Sequence, residues 1–477
     1  GQMLLEFAKK LEAMPAQSKD GDGTQDGTRD GTGGETPAKA SRRVSAKGRH
    51  GRRRIADLDH LPATTIEHDL PEAERRCSCC DCEKRRIGKE ESWQVEYVPS
   101  RFERWHHIRY IYACSACDAA GNGGRVATAE KSEDAIKASP IEKGMAGPGL
   151  LAMVVTSKFA DYLPLHRLEN IFERNGLDIS RSTLCQWCHD TAEIIVPLHD
   201  LMCDRVRMSH LVATDDTVMP LLAPGKTVRA RMWSYIGDDD HPYNVFDFTR
   251  SRARDGPTTF LAGYSQTLLA DAYGGYNGVV VGNGMTRAGC WAHARRKFID
   301  AESSEPAVAR EAVAIIDALF AVERRVKASA QSAVPEDLAT VRNVESRAVI
   351  THLHGRLLSW KAELLPRSPM AAAVQYALNQ WAELTVFLDD PAVPMDNNAC
   401  EREMKRQAIN RKNSLFVGSE RGGRTAAILS SFTSTCRRHD IDPQRYLTQL
   451  LVNLPGWPVS DIAAWLPDEW KRRQTAG

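Results

Sequence analysis

The sequence predicts an α/β protein built around one mixed sheet, and three observations carry that class. Strand-like and helix-like runs alternate between Leu211 and Phe298. Two apolar runs each end at an aspartate, in Ala213-Thr214-Asp215-Asp216-Thr217 and Leu268-Leu269-Ala270-Asp271-Ala272-Tyr273. A long helical stretch separates these from Asn397-Asn398-Ala399-Cys400-Glu401-Arg402, where an acid sits in a helix start.

With 477 residues the chain has room for two to four domains and a substantial core. Hydrophobic content of 42% and charged content of 26% are those of an ordinary soluble globular protein. The net charge of +1 gives no global field, but residues 39–54 carry eight Lys/Arg and no acid. No apolar run reaches the ~20 residues that span a bilayer, and the N-terminal stretch does not read as a signal peptide. Twelve cysteines, six of them between positions 77 and 117, suit metal ligation rather than secreted disulfides, so a cytoplasmic, nucleoid-associated protein is expected. The chain opens on Gly1 rather than Met, so its start is expected to be missing or processed.

In chain order, residues 1–14 place Leu4, Phe7 and Leu11 at helical spacing, a coiled-coil stub or a fraying terminal helix. Residues 15–60 hold Asp-Gly-Thr repeats and then the basic stripe, a disordered linker whose Arg52, Arg53 and Arg54 suit a phosphate-binding arm as well as a solvated face. Residues 61–140 place Cys77-x-x-Cys80 and Cys114-x-x-Cys117 around two strand-like segments, Trp93–Val98 and Phe102–Tyr112. Paired thiolates of that spacing close a tetrahedral zinc site. Cys79-x-x-Cys82 is a rival register, and His106 or His107 a substitute ligand.

Residues 141–205 are helical, and Gly176-Leu177-Asp178-Ile179-Ser180 leads into a short helix at Ser182–Trp187. That pattern fits a helix-turn-helix DNA reader and a plain helical bundle equally; Cys185-x-x-Cys188 there reads as core packing.

Residues 206–302 begin with a short buried strand, Leu211–Thr214, ending at Asp215. Arg231–Ile236 and Tyr243–Phe248 alternate around the turn-rich Gly237–Pro242 and read as a hairpin. A short helix near Thr258–Tyr264 precedes the strand Thr267–Ala270; Thr286–Cys290 is a further strand, running into the basic helix Trp291–Phe298. Three strands, a helix, a strand, a helix and a strand is the order of an RNase H-like core, in which the first and fourth strands are neighbours. Residues 303–390 form a helical insertion, residues 391–440 return to the core with the glutamate, and residues 441–477 are a C-terminal tail.

Two aspartates and a glutamate brought together this way supply the hard anionic oxygens that two Mg²⁺ or Mn²⁺ ions require for in-line phosphodiester chemistry. Asp215 and Asp216 point to opposite faces of a strand, and Glu401 and Glu403 lie ~200° apart on a helix, so one of each pair is excluded. Spacing alone does not choose. Each acid also has a plain reading, as a strand-end turn residue or a helix cap. Lys405, Arg406, Arg411 and Lys412 open a basic run suited to clamping a phosphate backbone.

These motifs together resemble the DDE transposases of the insertion-sequence 66 family, from about residue 60 to about residue 470. The resemblance is carried by Ile66-Glu67-His68-Asp69-Leu70-Pro71, the cysteine knuckles, Ser157-Lys158-Phe159-Ala160-Asp161 and the two aspartate motifs. It continues through Gly289-Cys290-Trp291-Ala292-His293-Ala294-Arg295-Arg296-Lys297-Phe298, Met395-Asp396-Asn397-Asn398 with Glu401-Arg402, and Arg411-Lys412-Asn413. It implies Asp215, Asp271 and Glu401 as catalytic metal ligands and Cys77, Cys80, Cys114 and Cys117 as zinc ligands. It further implies DNA (terminal inverted repeats and a target) as partner, a dimer or larger assembly on it, and helper proteins from the same element. His293, Arg295 and Arg296 of the Trp291–Phe298 motif are candidate DNA contacts; His293 suits contact with the scissile phosphate and a plain cap on the core equally. Cys82 replaces a usual glycine, and Ala399-Cys400 a usual Arg-Ala.

Overall fold

The computed structural model describes residues 102–104, 110–113, 126–128, 140–141, 144–329, 336–454 and 457–476, with the isolated positions 79, 106 and 108. The chain divides into two units, Gly1–Met14 with Phe102–Gly477, and Pro15–Arg101; of the second only Cys79, an exposed turn residue, is described. The terminal stub, the basic arm with Arg52, Arg53 and Arg54, and Cys77, Cys80, Cys114 and Cys117 lie outside the described residues. A small antiparallel ribbon pairs β1 (Ile111–Ala113) with β2 (Val126–Thr128), Ile111 opposite Thr128.

A five-stranded sheet positions everything else. Its strands are β3 (Leu211–Ala223), β4 (Lys226–Ile236), β5 (Asn244–Thr249), β6 (Thr267–Leu269) and β7 (Thr286–Ala288), in the order β5-β4-β3-β6-β7. β3, β4 and β5 are mutually antiparallel, whereas β6 runs parallel to β3 and β7 parallel to β6. The expected hairpin and strand order are present. β3, however, does not stop at Asp215; it continues to Ala223 along its whole ladder with β4. Acidic residues in a half-buried strand disguised that continuation, and the arginine partners that make one of them tolerable come from elsewhere. Gly225 closes the turn to β4 at a φ of +70°, which glycine adopts without strain.

β6 pairs with β3 only from Leu211 to Ala213. Beyond that point this edge of β3 meets only a short bridge from Val417, and Pro220, with no N–H to donate, is accommodated there; its carbonyl accepts from the Val417 amide at 2.9 Å, and the Leu222 amide donates to the Val417 carbonyl at 3.0 Å.

Successive β3 residues feed two cores. Leu211 and Ala213 join Leu269, Ala288, Trp291 and Phe298, while Val212 joins Leu268, Trp233, Tyr235 and Phe246. The Val212 face carries α1 (Pro148–Phe159), α2 (Leu165–Arg174) and α3 (Arg181–Arg207). α3 is far longer than the expected Ser182–Trp187 helix: its stripe Leu184, Trp187, Ile195, Leu198, Met202 and Val206 is buried along about six turns, packed on neighbouring helices and on β5. Ser180 caps it by accepting from the Thr183 amide, and Cys188 is buried in its core face. The C-terminal tail contributes Trp465, Leu466 and Trp470 to the same core.

The Ala213 face is covered by α4 (Trp291–Asp300) and the insertion, with α5 (Pro306–Ser329), α6 (Arg347–Glu363) and α7 (Pro369–Asn379). The excursion closes at a narrow neck. The Trp291 amide donates to the Met395 carbonyl at 2.9 Å, and the Gly289 amide to Glu383 at 2.8 Å. Past the neck come α8 (Asn398–Ser414) and α9 (Glu420–Arg438), α9 lying against β5. Among the described residues no helix is long and apolar enough to cross a membrane.

One buried charge locks the returning segment. Arg342, 1% exposed, gives two bonds of 2.8 Å to Glu323 and bonds the carbonyls of Phe387 (2.7 Å), Val393 (3.0 Å) and Asp390 (3.2 Å). Arg342→Met strands Glu323 and frees those carbonyls, and is expected to cost about 3–5 kcal/mol in chemical denaturation. A loss under about 1 kcal/mol would show that this lock is dispensable.

Candidate active site

The register of β3 and β6 places the two aspartates. Ala213 stands opposite Leu269 in the parallel pair. Two residues further along each strand direction come Asp215 and Asp271, so by the two-residue repeat both carry on from the face that holds Ala213 and Leu269. They stand where the parallel pairing of β3 and β6 ends, Asp215 within β3 and Asp271 two residues past the end of β6. Asp271 is turned by a local bond, its Oδ1 accepting from the Tyr273 amide at 3.0 Å.

α8 is pinned to that spot by its first residues. The Asn397 side-chain amide donates to the Thr214 carbonyl at 2.8 Å, and its backbone amide to Cys290 Sγ at 3.3 Å. Cys400 Sγ meets the hydroxyl of Ser234 at 2.5 Å, and Ser234 is the β4 residue directly opposite Asp215. Glu401, the next residue, is thereby held beside Asp215. Its carboxylate lies 3.6 Å from His293 Nδ1 and 4.0 Å from Arg296 Nη2.

The rival acids are engaged elsewhere. Asp216, its side chain 2% exposed, bonds Arg231 at 2.8 Å and takes two bonds from Arg252, at 2.7 and 3.0 Å. Glu403 accepts from Ser434 at 2.7 Å and Arg437 at 3.3 Å, and pairs with Arg406. Both are neutralised within the protein.

Asp215 has no such cation bonded to it, and Glu401 has only the longer contacts with His293 and Arg296. Burial pushes the Asp215 carboxyl up to about 7, opposed by the Asp216 amide that donates to it and reinforced by the charges of Asp271, Asp216 and Glu401. Glu401 Oε1 is buried without a hydrogen-bond partner. A buried carboxylate oxygen with no donor, beside an aspartate destabilised by like charges, fits a site completed by a cation.

Comparison with known proteins places the chain in a family. The profile described as "Transposase IS66 family" matches residues 143–425, that of the "zinc-finger binding domain of transposase IS66" residues 74–118, and the "IS66 C-terminal element" residues 431–467. The chain belongs to the IS66 transposase family. It is similar to three uncharacterized proteins of Sinorhizobium fredii (strain NBRC 101917 / NGR234). Identity is 33% to y4jD, over 91% of this chain and 85% of that protein; 34% to y4qI, over 85% and 75%; and 30% to y4hP, over 84% and 74%. The zinc-finger match brackets all four expected cysteines and supports a zinc site in this transposase.

The basic residues expected to meet DNA sort into two groups. Arg295 is held by Asp317 at 2.7 and 3.0 Å, Arg406 by Glu403, and Arg411 by the Val218 carbonyl at 2.5 Å. Arg296, Lys405 and Lys412 are exposed. Sequence reasoning missed Asn397, Cys290, Arg231 and Arg252. The first two stand inside the motifs quoted above, but nothing in spacing marks them as fasteners. Arg252 also stacks over the Tyr273 ring at 3.9 Å, linking the Asp216 side to the Asp271 loop.

A carboxyl raised from 3.8 to about 7 binds its proton more tightly folded than unfolded. Its stabilising protonated state is complete below about pH 4 and lost as pH rises through 7. In chelator, Asp215→Asn is therefore expected to melt several degrees above the parent at pH 8, the gap closing below about pH 4. Equal melting temperatures at pH 8 would contradict the crowding of charge described here.

Proposed function

We propose that this transposase is a DNA strand-transfer enzyme with an RNase H-like core, and that Asp215, Asp271 and Glu401 are its catalytic acids. It binds the terminal inverted repeats of its element, hydrolyses a phosphodiester to free a 3′-hydroxyl, and directs that hydroxyl at target DNA. The observation that carries the reading is the sorting of acids at one sheet edge. Asp216 and Glu403 are matched by close arginine bonds, while Asp215 has no cation bonded to it and Glu401 only long contacts with His293 at 3.6 Å and Arg296 at 4.0 Å.

Asp215, Asp271 and Glu401 would hold two Mg²⁺ or Mn²⁺ ions, which when bound supply Lewis acidity at the scissile phosphate. Cys77, Cys80, Cys114 and Cys117 are the proposed zinc ligands in the zinc-finger segment. The chain's own contribution is placement. Asn397 fixes the end of α8 against β3, so Glu401 meets the aspartates in one geometry. Arg296, Lys405 and Lys412 lie exposed on the helices flanking Glu401 and suit backbone phosphates, as does the basic arm with Arg52, Arg53 and Arg54. Because the nucleophiles are water and a DNA hydroxyl, no protein–DNA bond is required. Joining two element ends in one event calls for at least two chains on DNA, with helper proteins of the same element as further partners.

The test incubates 3′-ended terminal DNA with a target plasmid and Mn²⁺. Glu401→Gln and Asp271→Asn are expected to reduce cutting and joining by roughly a thousandfold or more while end binding persists. Glu403→Gln should instead lower stability and leave chemistry per folded molecule near the parent's. Binding without any cutting in the parent would indicate a DNA-gripping regulator, and cutting without joined products a nuclease. Loss of chemistry in Glu403→Gln but not Glu401→Gln would overturn the assignment of the third acid.

A further inference from the structure

Beside the acid cluster stands a second donor set of different chemistry. Cys290, His293 and Glu401 present a sulfur, a ring nitrogen and a carboxylate oxygen that all lie within 4.8 Å of one another. His293 Nδ1 and Glu401 Oε1 are both buried and neither has a hydrogen-bond partner, although they are 3.6 Å apart. Buried polar atoms left unmatched in this way cost about 1–3 kcal/mol each. A ligand that satisfied both at once would recover that cost.

The sulfur lies within reach of the same ligand, although burial pushes its thiol up to about 11. Cys290 is the N-cap residue of α4, so its side chain stands at the positive end of a ten-residue helix. It also accepts the Asn397 amide at 3.3 Å, the kind of N–H···S bond that steadies a metal-bound thiolate. Mg²⁺ and Mn²⁺ favour oxygen donors, whereas one sulfur, one imidazole nitrogen and one carboxylate is a set that zinc and cobalt take up, with a fourth position left to water.

We propose that Cys290, His293 and Glu401 form an inhibitory site for a borderline-soft divalent cation, zinc foremost, whose binding withdraws Glu401 from Asp215 and Asp271. On coordination the thiol releases its proton to solvent, and the glutamate carboxylate turns toward the sulfur and imidazole. One carboxylate cannot complete both sites, so zinc and the catalytic ions compete for it. The inhibition rests on Glu401 being the third catalytic acid; the binding does not.

Binding is read first, on the full chain purified with its structural zinc in place. Cobalt(II) titration is expected to add a thiolate-to-cobalt charge-transfer band of one further equivalent, absent from Cys290→Ser and from His293→Gln. Serine keeps an acceptor for the Asn397 amide, so the fold is retained. Should either variant fail to fold, crystals of the parent soaked in cadmium provide the reading, with an anomalous peak expected among the three side chains. An added band undiminished in Cys290→Ser, or cadmium bound only elsewhere, overturns the site. Activity is read second. Zinc added to the Mn²⁺ reaction is expected to inhibit the parent, and Cys290→Ser to need at least about tenfold more zinc for the same loss. Equal sensitivity overturns the inhibitory role. A Cys290-dependent cobalt band in a protein that cuts no DNA with any metal would sustain the site and sink the catalytic reading.

Discussion

The bond from the Asn397 side chain to the Thr214 carbonyl is the fastening on which the site depends. Thr214 is the last β3 residue before Asp215, and Asn397 the last before α8. Joining them brings two segments 183 positions apart in sequence to one place, and everything on the first turn of the helix inherits that position. Cys400 against Ser234, and the Asn397 amide against Cys290, extend the same fastening in two further directions. Three such anchors fix orientation as well as distance. A single bond would leave the helix free to swing, and catalytic geometry tolerates little of that.

The second organising fact is the end of pairing between β3 and β6. A parallel pair that ran on would fill the space beside Asp215 with a neighbouring strand. Because the ladder stops at Ala213 and Leu269, Asp215 has no β6 residue paired with it, and α8 packs against β3 instead. Its neighbour Asp216, on the opposite face, is held between Arg231 and Arg252. Neighbouring residues of one strand therefore carry opposite electrostatic fates, decided by which side of the pleat each occupies.

Much of this was legible in the chain. Strand order, the hairpin and the helical excursion followed from periodicity and turn residues, because each was written locally. The choice between Asp215 and Asp216, or between Glu401 and Glu403, was not, since the deciding arginines lie 15 to 36 residues away in one case and up to 34 in the other. The full length of β3 was hidden for the same reason: two acids look like the end of a strand until their partners are known. The length of α3 is masked because Pro197 and a run of polar residues interrupt its pattern, while the apolar stripe along its buried face carries it through. Asn397 was visible as a letter in a motif and invisible as a fastener, because a hydrogen bond to a distant carbonyl leaves no periodic trace.

The neck of the insertion has an evolutionary corollary. Departing at Trp291 and returning at Met395, the excursion begins and ends on one hydrogen bond. The loops between its helices can change length at small cost, since closure entropy grows only slowly with loop length. The helices themselves roof the Ala213 face and carry Arg342, so the excursion is a roof clamped at both ends whose surface can vary while its packed underside cannot.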